Sequence, residues 1–395
     1  MKVICDRGAL MDAINLVSGA VAARTPRMQL TCVKLEATQS GGSGELTLTA
    51  TDAEIALRLT LSEVDVQEPG EALIPADKLR QIVSAEDAEP TLTIEASGET
   101  CHIRGADAHF KVFGYPAADF PPIPDFEQVV SGEAESSGGK PPRAVINHPA
   151  GSLGGLVSRT LFACARETSR YAINGVLLKR DGKRLEMVAT DGRRLALARA
   201  NLTGSDKDSK AISCIVPTKA LGMLQKLIRE HEEPVQIAIT DTQILFRFGT
   251  AAKPGRATLV SNLLEGTFPP YEEAIPKDQD KKIVFDRDVL GSAVRRAALL
   301  TNEESRGVRM VFKGKDKQLE LTSRAPEMGE AQIKVDLASY EGEDIEIGFN
   351  PSFITDALKV IQDPQVHMEL KSPGRQALIR SGNEFMYVVM PVQLS

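Results

Sequence analysis

The chain has 395 residues, of which 42% are hydrophobic and 26% charged, and its formal net charge is −7 at pH 7. This length fits about two to four ordinary folded domains. The acidic balance argues only weakly against nucleic-acid binding, because overall charge can hide a local basic surface. Five scattered cysteines without a CxxC pair favour reduced thiols in a cytosolic protein over a disulfide framework. The N-terminus predicts neither a signal peptide nor a membrane span.

The first 100 residues predict strands that alternate with two helices. Residues 1–7 are typical of a strand, and apolar residues then follow on one helical face: Leu10, Ile14, Val17 and Val21. Residues 46–49 and 56–61 alternate between apolar and polar, which predicts half-buried strands. A second helix is expected to begin at Pro75, because proline fits the first helical turn. Another strand is predicted at residues 91–95.

The same order of elements recurs twice more along the chain. LTLTATD at 46–52 returns as LEMVATD at 185–191 and as LELTSR at 319–324. A second phrase, IPADKL at 74–79, returns as VPTKAL at 216–221 and FNPSFI at 349–354. Because both phrases recur at offsets of 132 to 142 residues, we predict three copies of one domain. Each copy is expected to contain two related half-units of strand, helix and strands.

Two hydrophilic interruptions set the predicted domain boundaries. Ser131–Pro142 is rich in small and polar residues, which is typical of a flexible linker. A second interruption lies near Pro276–Lys282. We therefore predict domains at residues 1–126, 144–276 and 277–395, with a flexible linker at 127–143.

The sequence offers no catalytic constellation. No two of the five histidines are four residues apart and none stands beside a cysteine at metal-ligand spacing. Phosphate-binding loops and nucleophile elbows are not found. Asp52 and Asp191 could act as catalytic carboxylates, but the third copy has Arg324 there, and a turn-capping role fits the end of a strand better. We predict a protein that is not an enzyme and that needs no metal or cofactor.

Basic residues lie on or beside the predicted helices. One interpretation is a set of solvated helix faces. The other is a shared surface that binds phosphates, and such binding would be non-specific because phosphate contacts carry no sequence information. The residues are Arg24, Arg27, Lys78, Arg80, Arg159, Arg166, Arg170, Lys219, Lys226, Arg229, Arg295, Arg296, Arg306, Arg309 and Lys359.

Five ordered segments make the chain resemble a known family, the bacterial DNA polymerase III β subunits or sliding clamps. They are YPAADFP at 115–121, RYAINGV at 170–176, ATDGRRLA at 189–196, TNEESRGVR at 301–309 and YVVMP at 387–391. The resemblance covers the chain apart from the linker. It implies an α+β fold of three tandem DNA-clamp domains, each with two inner helices packed on outer antiparallel sheets. It also implies a head-to-tail dimeric ring around double-stranded DNA.

The resemblance implies a non-catalytic, cytoplasmic and nucleoid-associated processivity factor. Its expected partners are non-specific duplex DNA, a second copy of the chain, the replicative polymerase, the clamp loader and other proteins with clamp-binding motifs. No membrane contact is expected. The alternatives are a clamp paralogue that acts as an interaction scaffold and a repeat-built enzyme with an inter-domain site.

The resemblance also implies three sets of site residues. The peptide-binding pocket would comprise Ile173, Thr190, Gly192, Arg193, Arg194, Leu195, Pro269, Ala274, Asn350, Phe353, Gln376, Val388, Met390, Pro391, Val392 and Leu394. DNA would be contacted by Arg24, Arg27, Lys78, Arg80, Arg166, Arg170, Tyr171 and Lys219. The dimer interface would comprise Phe110, Val112, Leu299 and Leu300.

Several positions depart from the family pattern. Arg193 stands where the family often has histidine, Glu273 where arginine is common, and Ala274 where valine is usual. The C-terminus lacks a frequent basic residue, and Ala172 stands where an aromatic can occur. These departures imply a pocket of altered width and an altered peptide preference.

Overall fold

The computed structural model describes residues 1–40, 43–134, 140–166, 172–202, 211–230, 234–250, 253–301, 307–325 and 328–393. Its α-helices are α1 Arg7–Val17, α2 Ala76–Ala85, α3 Phe126–Ser131, α4 Ala150–Thr160, α5 Thr218–Glu230, α6 Arg287–Ala298 and α7 Pro351–Val360. The strands of the first copy are β1 Lys2–Asp6, β2 Cys32–Ser40, β3 Ser43–Thr51, β4 Ile55–Glu68, β5 Gly70–Pro75, β6 Thr91–Ser97, β7 Thr100–Arg104 and β8 His109–Phe113.

The strands of the second copy are β9 Ala144–His148, β10 Gly175–Asp181, β11 Arg184–Thr190, β12 Arg194–Asn201, β13 Ile212–Pro217, β14 Val235–Ile239, β15 Gln243–Thr250 and β16 Lys253–Asn262. Those of the third are β17 Lys281–Asp286, β18 Val308–Lys313, β19 Gln318–Ala325, β20 Gly329–Asp336, β21 Ser339–Glu341, β22 Ile345–Phe349, β23 Gln365–Leu370, β24 Ala377–Ser381 and β25 Phe385–Val389. The predicted strand–helix order of each copy is confirmed.

The helices begin where the sequence supplies a cap. Asp6 Oδ1 accepts a hydrogen bond from the main-chain N–H of Ala9 at 2.7 Å, and Asn350 Oδ1 accepts from that of Ser352 at 3.0 Å. Pro351 lies in the first turn of α7, as predicted, whereas Pro75 ends β5 one residue before α2. Helix α1 ends at Val17, so Val21 lies beyond the predicted helical face.

Each copy contains two four-stranded antiparallel half-sheets with one strand order. The first half-sheets read β5-β2-β3-β4, β13-β10-β11-β12 and β22-β18-β19-β20. The second read β1-β6-β7-β8, β9-β14-β15-β16 and β17-β23-β24-β25. The six predicted half-units are therefore present, with one difference. The opening strand of each half-unit pairs with the strands of the other half.

The half-sheets of successive copies are joined at their outermost strands. In the first junction, Ile55–Leu59 of β4 pairs antiparallel with Ala257–Ser261 of β16. In the second, Arg194–Ala198 of β12 pairs antiparallel with Phe385–Val389 of β25. Accordingly, the chain forms two compact units, one of residues 1–154 and 219–263 and the other of 155–218 and 264–395. The second copy is divided between them.

The predicted flexible linker at 127–143 is wrong over its first residues, which form α3. Asp125 Oδ1 caps this helix by accepting from the N–H groups of Glu127 and Gln128. Phe126 and Val129 are buried in an apolar cluster with Ala238 and other residues of the first unit. Burial of these two side chains outweighs the polar character of the segment. Residues 135–139 of the linker lie outside the described part of the chain.

Candidate functional site

A tight turn between β11 and β12 forms the centre of the predicted pocket in the second unit. Thr190 Oγ1 donates to the carbonyl of Arg194 at 2.7 Å and accepts from the N–H of Gly192 at 3.1 Å. Asp191 Oδ1 accepts from the N–H groups of Arg193 and Arg194 at 3.0 and 3.1 Å. Gly192 adopts a φ of 85°, which glycine tolerates best. The predicted turn-capping role of Asp191 is confirmed.

Arg194 connects this turn to two other segments of the unit. Its Nε donates to Asp191 Oδ2, one terminal nitrogen donates to Asp356 Oδ2, and the other donates to the carbonyl of Phe162, each at 2.9 Å. The guanidinium also lies 5.5 Å from the ring centre of Phe162 and 4.5 Å from that of Phe353. Only 10% of the side chain is exposed. Arg194 therefore holds three segments of the second unit together, and its donors are engaged within the protein.

The charge of this arginine is fixed by its surroundings. Burial works against the charged form, but hydrogen bonding to Asp356 and the nearby charge of Asp191 raise the pKa of Arg194 above its usual value. Burial raises the pKa of the neighbouring Tyr387 as well, and its hydroxyl donates to the carbonyl of Phe353 at 2.9 Å. The site holds a permanent cation and a neutral phenol at physiological pH.

An apolar cluster lies below the turn. Leu195 and Val388 are buried and face each other across β12 and β25. They belong to one cluster with Ala172, Leu177, Val188, Leu197, Ile215, Phe268, Tyr271, Leu378 and Met386. Ile173 is half-buried at the edge of this cluster. These residues supply the apolar floor that a peptide groove requires.

The C-terminal segment is held against the turn by main-chain hydrogen bonds. The N–H of Met390 donates to the carbonyl of Arg193, and that of Val392 donates to the carbonyl of Gly348, both at 2.9 Å. Pro391 is half-buried, whereas the Met390 side chain is 44% exposed. A large exposed apolar side chain on an anchored segment is suited to contact a partner. Leu394 lies outside the described residues.

The remaining pocket residues approach from two further segments. Half-buried Phe353 lies against Arg194, and Asn350 is occupied in capping α7. Gln376 Nε2 donates to the carbonyl of Ala274 at 3.3 Å, so these two lie together. Phe268 and Ile275, the neighbours of Pro269 and Ala274, pack in the apolar cluster.

A cavity of about 290 Å³ opens beside this segment. It is lined by Glu272, Glu273, Ile275, Pro276, Lys277, Asp278, Gln279, Lys371, Arg375 and Gln376. Most of these side chains are charged or polar. Glu273, one of the departures from the family pattern, therefore adds an acidic group to the wall of a polar cavity.

Sequence reasoning missed three residues that hold the site together. Phe162, Asp356 and Tyr387 all contact Arg194 or its immediate neighbours. The sequence could have indicated Asp356, because it follows Phe353 by three residues and so lies on the same face of the helix. It could not have indicated Phe162, since no local pattern indicates that its carbonyl and its ring both contact an arginine 32 residues along the chain.

The first unit contains a turn of the same construction between β3 and β4. Thr51 Oγ1 donates to the carbonyl of Ile55 at 2.8 Å, and Asp52 Oδ1 accepts from the N–H groups of Glu54 and Ile55. Ala53 has a φ of 78°. The capping role predicted for Asp52 is confirmed. Its other carboxylate oxygen accepts a hydrogen bond from Lys219, the second residue of α5.

The predicted DNA-contacting residues are on the surface where they are described. Arg24, Arg27, Lys78, Arg80 and Arg166 are exposed. Lys219 is also exposed, but its ammonium group is paired with Asp52, which reduces the charge it presents. Arg170 and Tyr171 lie outside the described residues.

The predicted dimer-interface residues lie on the edge strand β8 and in the turn after α6. Phe110 is half-buried and Val112 buried on β8, while Leu299 is 71% exposed just after α6 and Leu300 follows it. Phe113, also on β8, is 71% exposed and was missed by the sequence analysis. The alternation of β8 could have revealed it, because its neighbours on that face are His109 and Lys111.

The cysteines and helices give no sign of other chemistry. All five cysteine side chains are buried, and burial raises the pKa of Cys5, Cys101 and Cys164 to about 12. Buried thiols of this kind are poor nucleophiles. Across the described residues, every helix is too short or too polar to cross a membrane.

Three repeated α+β domains, whose half-sheets are joined through β4–β16 and β12–β25, define a DNA-clamp architecture. Family models of the DNA polymerase III β subunit match in order: the N-terminal domain at residues 1–124, the central domain at 149–270 and the C-terminal domain at 272–393. The chain belongs to the bacterial DNA polymerase III β subunit family, the β sliding clamps.

Individual relatives agree with this assignment along the whole chain. The β sliding clamps of Vibrio cholerae and Escherichia coli K12 are 32% and 30% identical, covering 100% of this chain and of theirs. The solved β subunit of Pseudomonas aeruginosa is similar with a TM-score of 0.84 at 32% identity. The Bacillus subtilis sliding clamp gives 0.87 at 27% identity, and both comparisons cover 100% of each chain.

Proposed function

We propose that two copies of this chain close into a ring around duplex DNA and tether the replicative polymerase to it. The observation that supports ring closure is that the two junctions within the chain join equivalent strands. Both internal junctions join the last strand of a first half-sheet to the last strand of a second half-sheet, namely β4 to β16 and β12 to β25. Within the described residues, β20 and β8 are the equivalent strands that pair on one side only.

The same pairing, applied to these two edges, predicts the contact between copies. Strand β20 of one copy would pair with β8 of the other, and the reciprocal pair would close a ring of six domains. Exposed edge strands are templates for pairing, so covering both edges also removes an aggregation hazard. A closed assembly of this kind needs a head-to-tail interface that repeats once around a two-fold axis.

The side chains on these edges suit such a pairing. On β8, Phe110 and Val112 point towards the core side, and on β20 Ile333 and Val335 do the same. The opposite face carries His109, Lys111 and the exposed Phe113 on β8. On β20 it carries the exposed residues Glu330, Gln332, Lys334 and Asp336. Apolar residues would meet on one face and groups of opposite charge on the other.

Exposed basic residues support DNA contact without a strong net attraction. Arg24 and Arg27 follow α1, and Lys78 and Arg80 lie on α2. A ring holds DNA topologically, so electrostatic contacts can be weak and non-specific, which permits sliding. The net charge of −7 is compatible with this arrangement because only the surface facing DNA needs to be basic.

The groove beside the C-terminus is the proposed docking site for partner peptides. Leu195, Val388 and the exposed Met390 offer apolar contacts, while the main chain around Gly192 is exposed. Apolar anchors of a linear motif bind in grooves of this type. We infer that the polymerase and the clamp loader use it in turn. A non-catalytic role follows from membership of the family, and a scaffold-only paralogue is not favoured because the groove keeps its apolar floor.

Sedimentation of a Leu300→Asp variant tests ring closure. An aspartate at this edge would place an unpaired charge in the proposed interface, so the variant is expected to sediment as a monomer where the parent is a dimer. Val289→Asp is the matched control, because Val289 is 48% exposed on the nearby helix α6 but away from the edge strands. A dimeric Leu300→Asp protein, or a monomeric parent, would contradict the proposed junction.

A further inference from the structure

The β7–β8 hairpin carries two histidines in direct contact. His102 Nδ1 and His109 Nε2 are 2.9 Å apart, and their ring centres are 5.0 Å apart at an angle of 36°. His102 lies opposite Lys111 and Arg104 opposite His109 in the ladder, so the two imidazoles are diagonal neighbours on one face. We propose that this pair is a two-imidazole site for a divalent transition-metal ion such as Zn²⁺ or Ni²⁺.

The distance between the nitrogens matches a chelating pair. Zn²⁺ binds imidazole nitrogen at about 2.0–2.1 Å, so two ligands on one tetrahedral ion lie about 3.3 Å apart. The observed 2.9 Å separation is that of a hydrogen bond between the two rings, and an ion would replace its proton and widen the separation by a few tenths of an ångström. Small ring rotations would turn both lone pairs towards one ion. Imidazole suits zinc, copper and nickel, whereas magnesium and calcium prefer oxygen ligands.

The backbone holds the two histidines in place. They lie on adjacent antiparallel strands, and the turn between these strands is closed by a hydrogen bond from the N–H of Gly105 to the carbonyl of Ala108 at 3.1 Å. A rigid hairpin reduces the ordering cost of chelation. Pairing of β8 with another strand uses main-chain groups in the plane of the sheet. Both side chains project from its face, so the strand pairing itself does not use their ring nitrogens.

Neighbouring charges set the expected strength of the site. Glu95 lies opposite His102 on β6 but pairs with Arg104 at 3.4 Å, and it does not form a three-ligand group with the two histidines among the described residues. Lys111 and Arg104 are positive and reduce the attraction for a cation. Lys111 lies opposite His102 in the ladder, and its Nζ lies over the ring of Phe113 at 5.2 Å. With two protein nitrogens and water in the other positions, the site should bind more weakly than a closed structural zinc site.

Calorimetric titration of the full chain with ZnCl₂ tests this proposal. The expected result is one ion per chain, with no binding of MgCl₂. His102→Gln and His109→Gln should each weaken zinc binding by at least roughly tenfold. Mutation of a residue that merely orients a metal ligand already reduces metal affinity by about that factor. His367→Gln, an exposed histidine on β23, is the control and should bind as the parent does.

Two outcomes would overturn the site. One is a parent protein that binds no zinc, and the other is unchanged affinity in both histidine variants. The Leu300→Asp protein separates this proposal from ring closure. Both ligands come from one chain, so zinc binding should persist in a monomer, and its loss there would contradict a one-chain site.

Discussion

The two internal junctions share one backbone and differ in what their side chains do. Each begins with a Thr-Asp turn, at Thr51–Asp52 before β4 and at Thr190–Asp191 before β12, with the same side-chain to main-chain hydrogen bonds. In the first, Asp52 pairs with an exposed lysine. In the second, Asp191 pairs with Arg194, which also binds Asp356 and lies between two phenylalanine rings.

The turns differ at three equivalent positions, and the last of them, Ile55 in the first turn and Arg194 in the second, differs most in its contacts. Ile55 and Arg194 both end their turns, and both follow the capping aspartate by three residues. Ile55 is buried as an ordinary core residue, whereas Arg194 reaches into neighbouring segments. The repeat therefore preserves the turn and the junction, and the arginine at the last of these positions connects the second turn to α7 and to the main chain at Phe162.

Arg194→Met should produce the largest effect. Removing the guanidinium leaves Asp356 and Asp191 without their partner in a half-buried site, which should lower the free energy of unfolding by roughly 3 kcal/mol. Urea denaturation followed by circular dichroism measures this. Arg193→Met is the control, because that exposed side chain should change stability by less than about 0.5 kcal/mol. Equal effects of the two substitutions would contradict the supporting role of Arg194.

Met390→Ala should weaken partner binding without affecting stability. The Met390 side chain is 44% exposed beside the groove, so its truncation should reduce affinity for a polymerase-derived Leu/Phe peptide by about tenfold. Calorimetry gives the affinity and thermal unfolding the stability. Met28→Ala, at a methionine that is 49% exposed in the first unit, should leave both unchanged. An unaltered affinity in Met390→Ala would remove this segment from the docking site.

Asp52→Asn should have the smallest effect, and that effect should depend on pH. Burial opposes ionisation of Asp52, but hydrogen bonds from Lys219 and from the N–H groups of Ile55 and Glu54 outweigh it and lower the pKa. A lowered pKa stabilises the fold above the ordinary aspartate value of about 3.9, and this stabilisation is lost as pH falls through the folded value. Because Lys219 is half exposed, the loss near neutrality should be about 0.5 kcal/mol.

Thermal unfolding across pH measures this difference. The parent should exceed Asp52→Asn in melting temperature near pH 7, and the two curves should converge in acid. A gap that stays constant down to about pH 2, well below the ordinary aspartate pKa, would show that the charge of Asp52 is not its source.

Much of the fold could be predicted because its signals are local and repeated. The recurring phrases gave the strand–helix order of all three copies, and the position of Asp52 and Asp191 at strand ends gave their capping role. The linker prediction failed at α3 because a polar composition does not indicate burial. Phe126 and Val129 are nevertheless buried against strands far along the chain. The exchange of opening strands between half-sheets was equally invisible, since periodicity does not specify pairing partners.

The candidate site was predictable only through resemblance. Apolar pocket residues such as Leu195 and Val388 have the same local pattern as any core strand, and only their position beside an anchored C-terminus sets them apart. The contacts of Arg194 with Phe162 and Asp356 span 32 and 162 residues along the chain. No local pattern reports such contacts.

Retention on DNA after loading tests the ring most directly. The protein would be loaded by its clamp loader onto a nicked circular plasmid, separated from free protein by gel filtration, and the plasmid then cut once. A ring closed through β8 and β20 predicts that the protein stays on the circle in high salt and is lost from the linear product by sliding off its ends. Equal retention on circular and linear DNA would contradict encirclement.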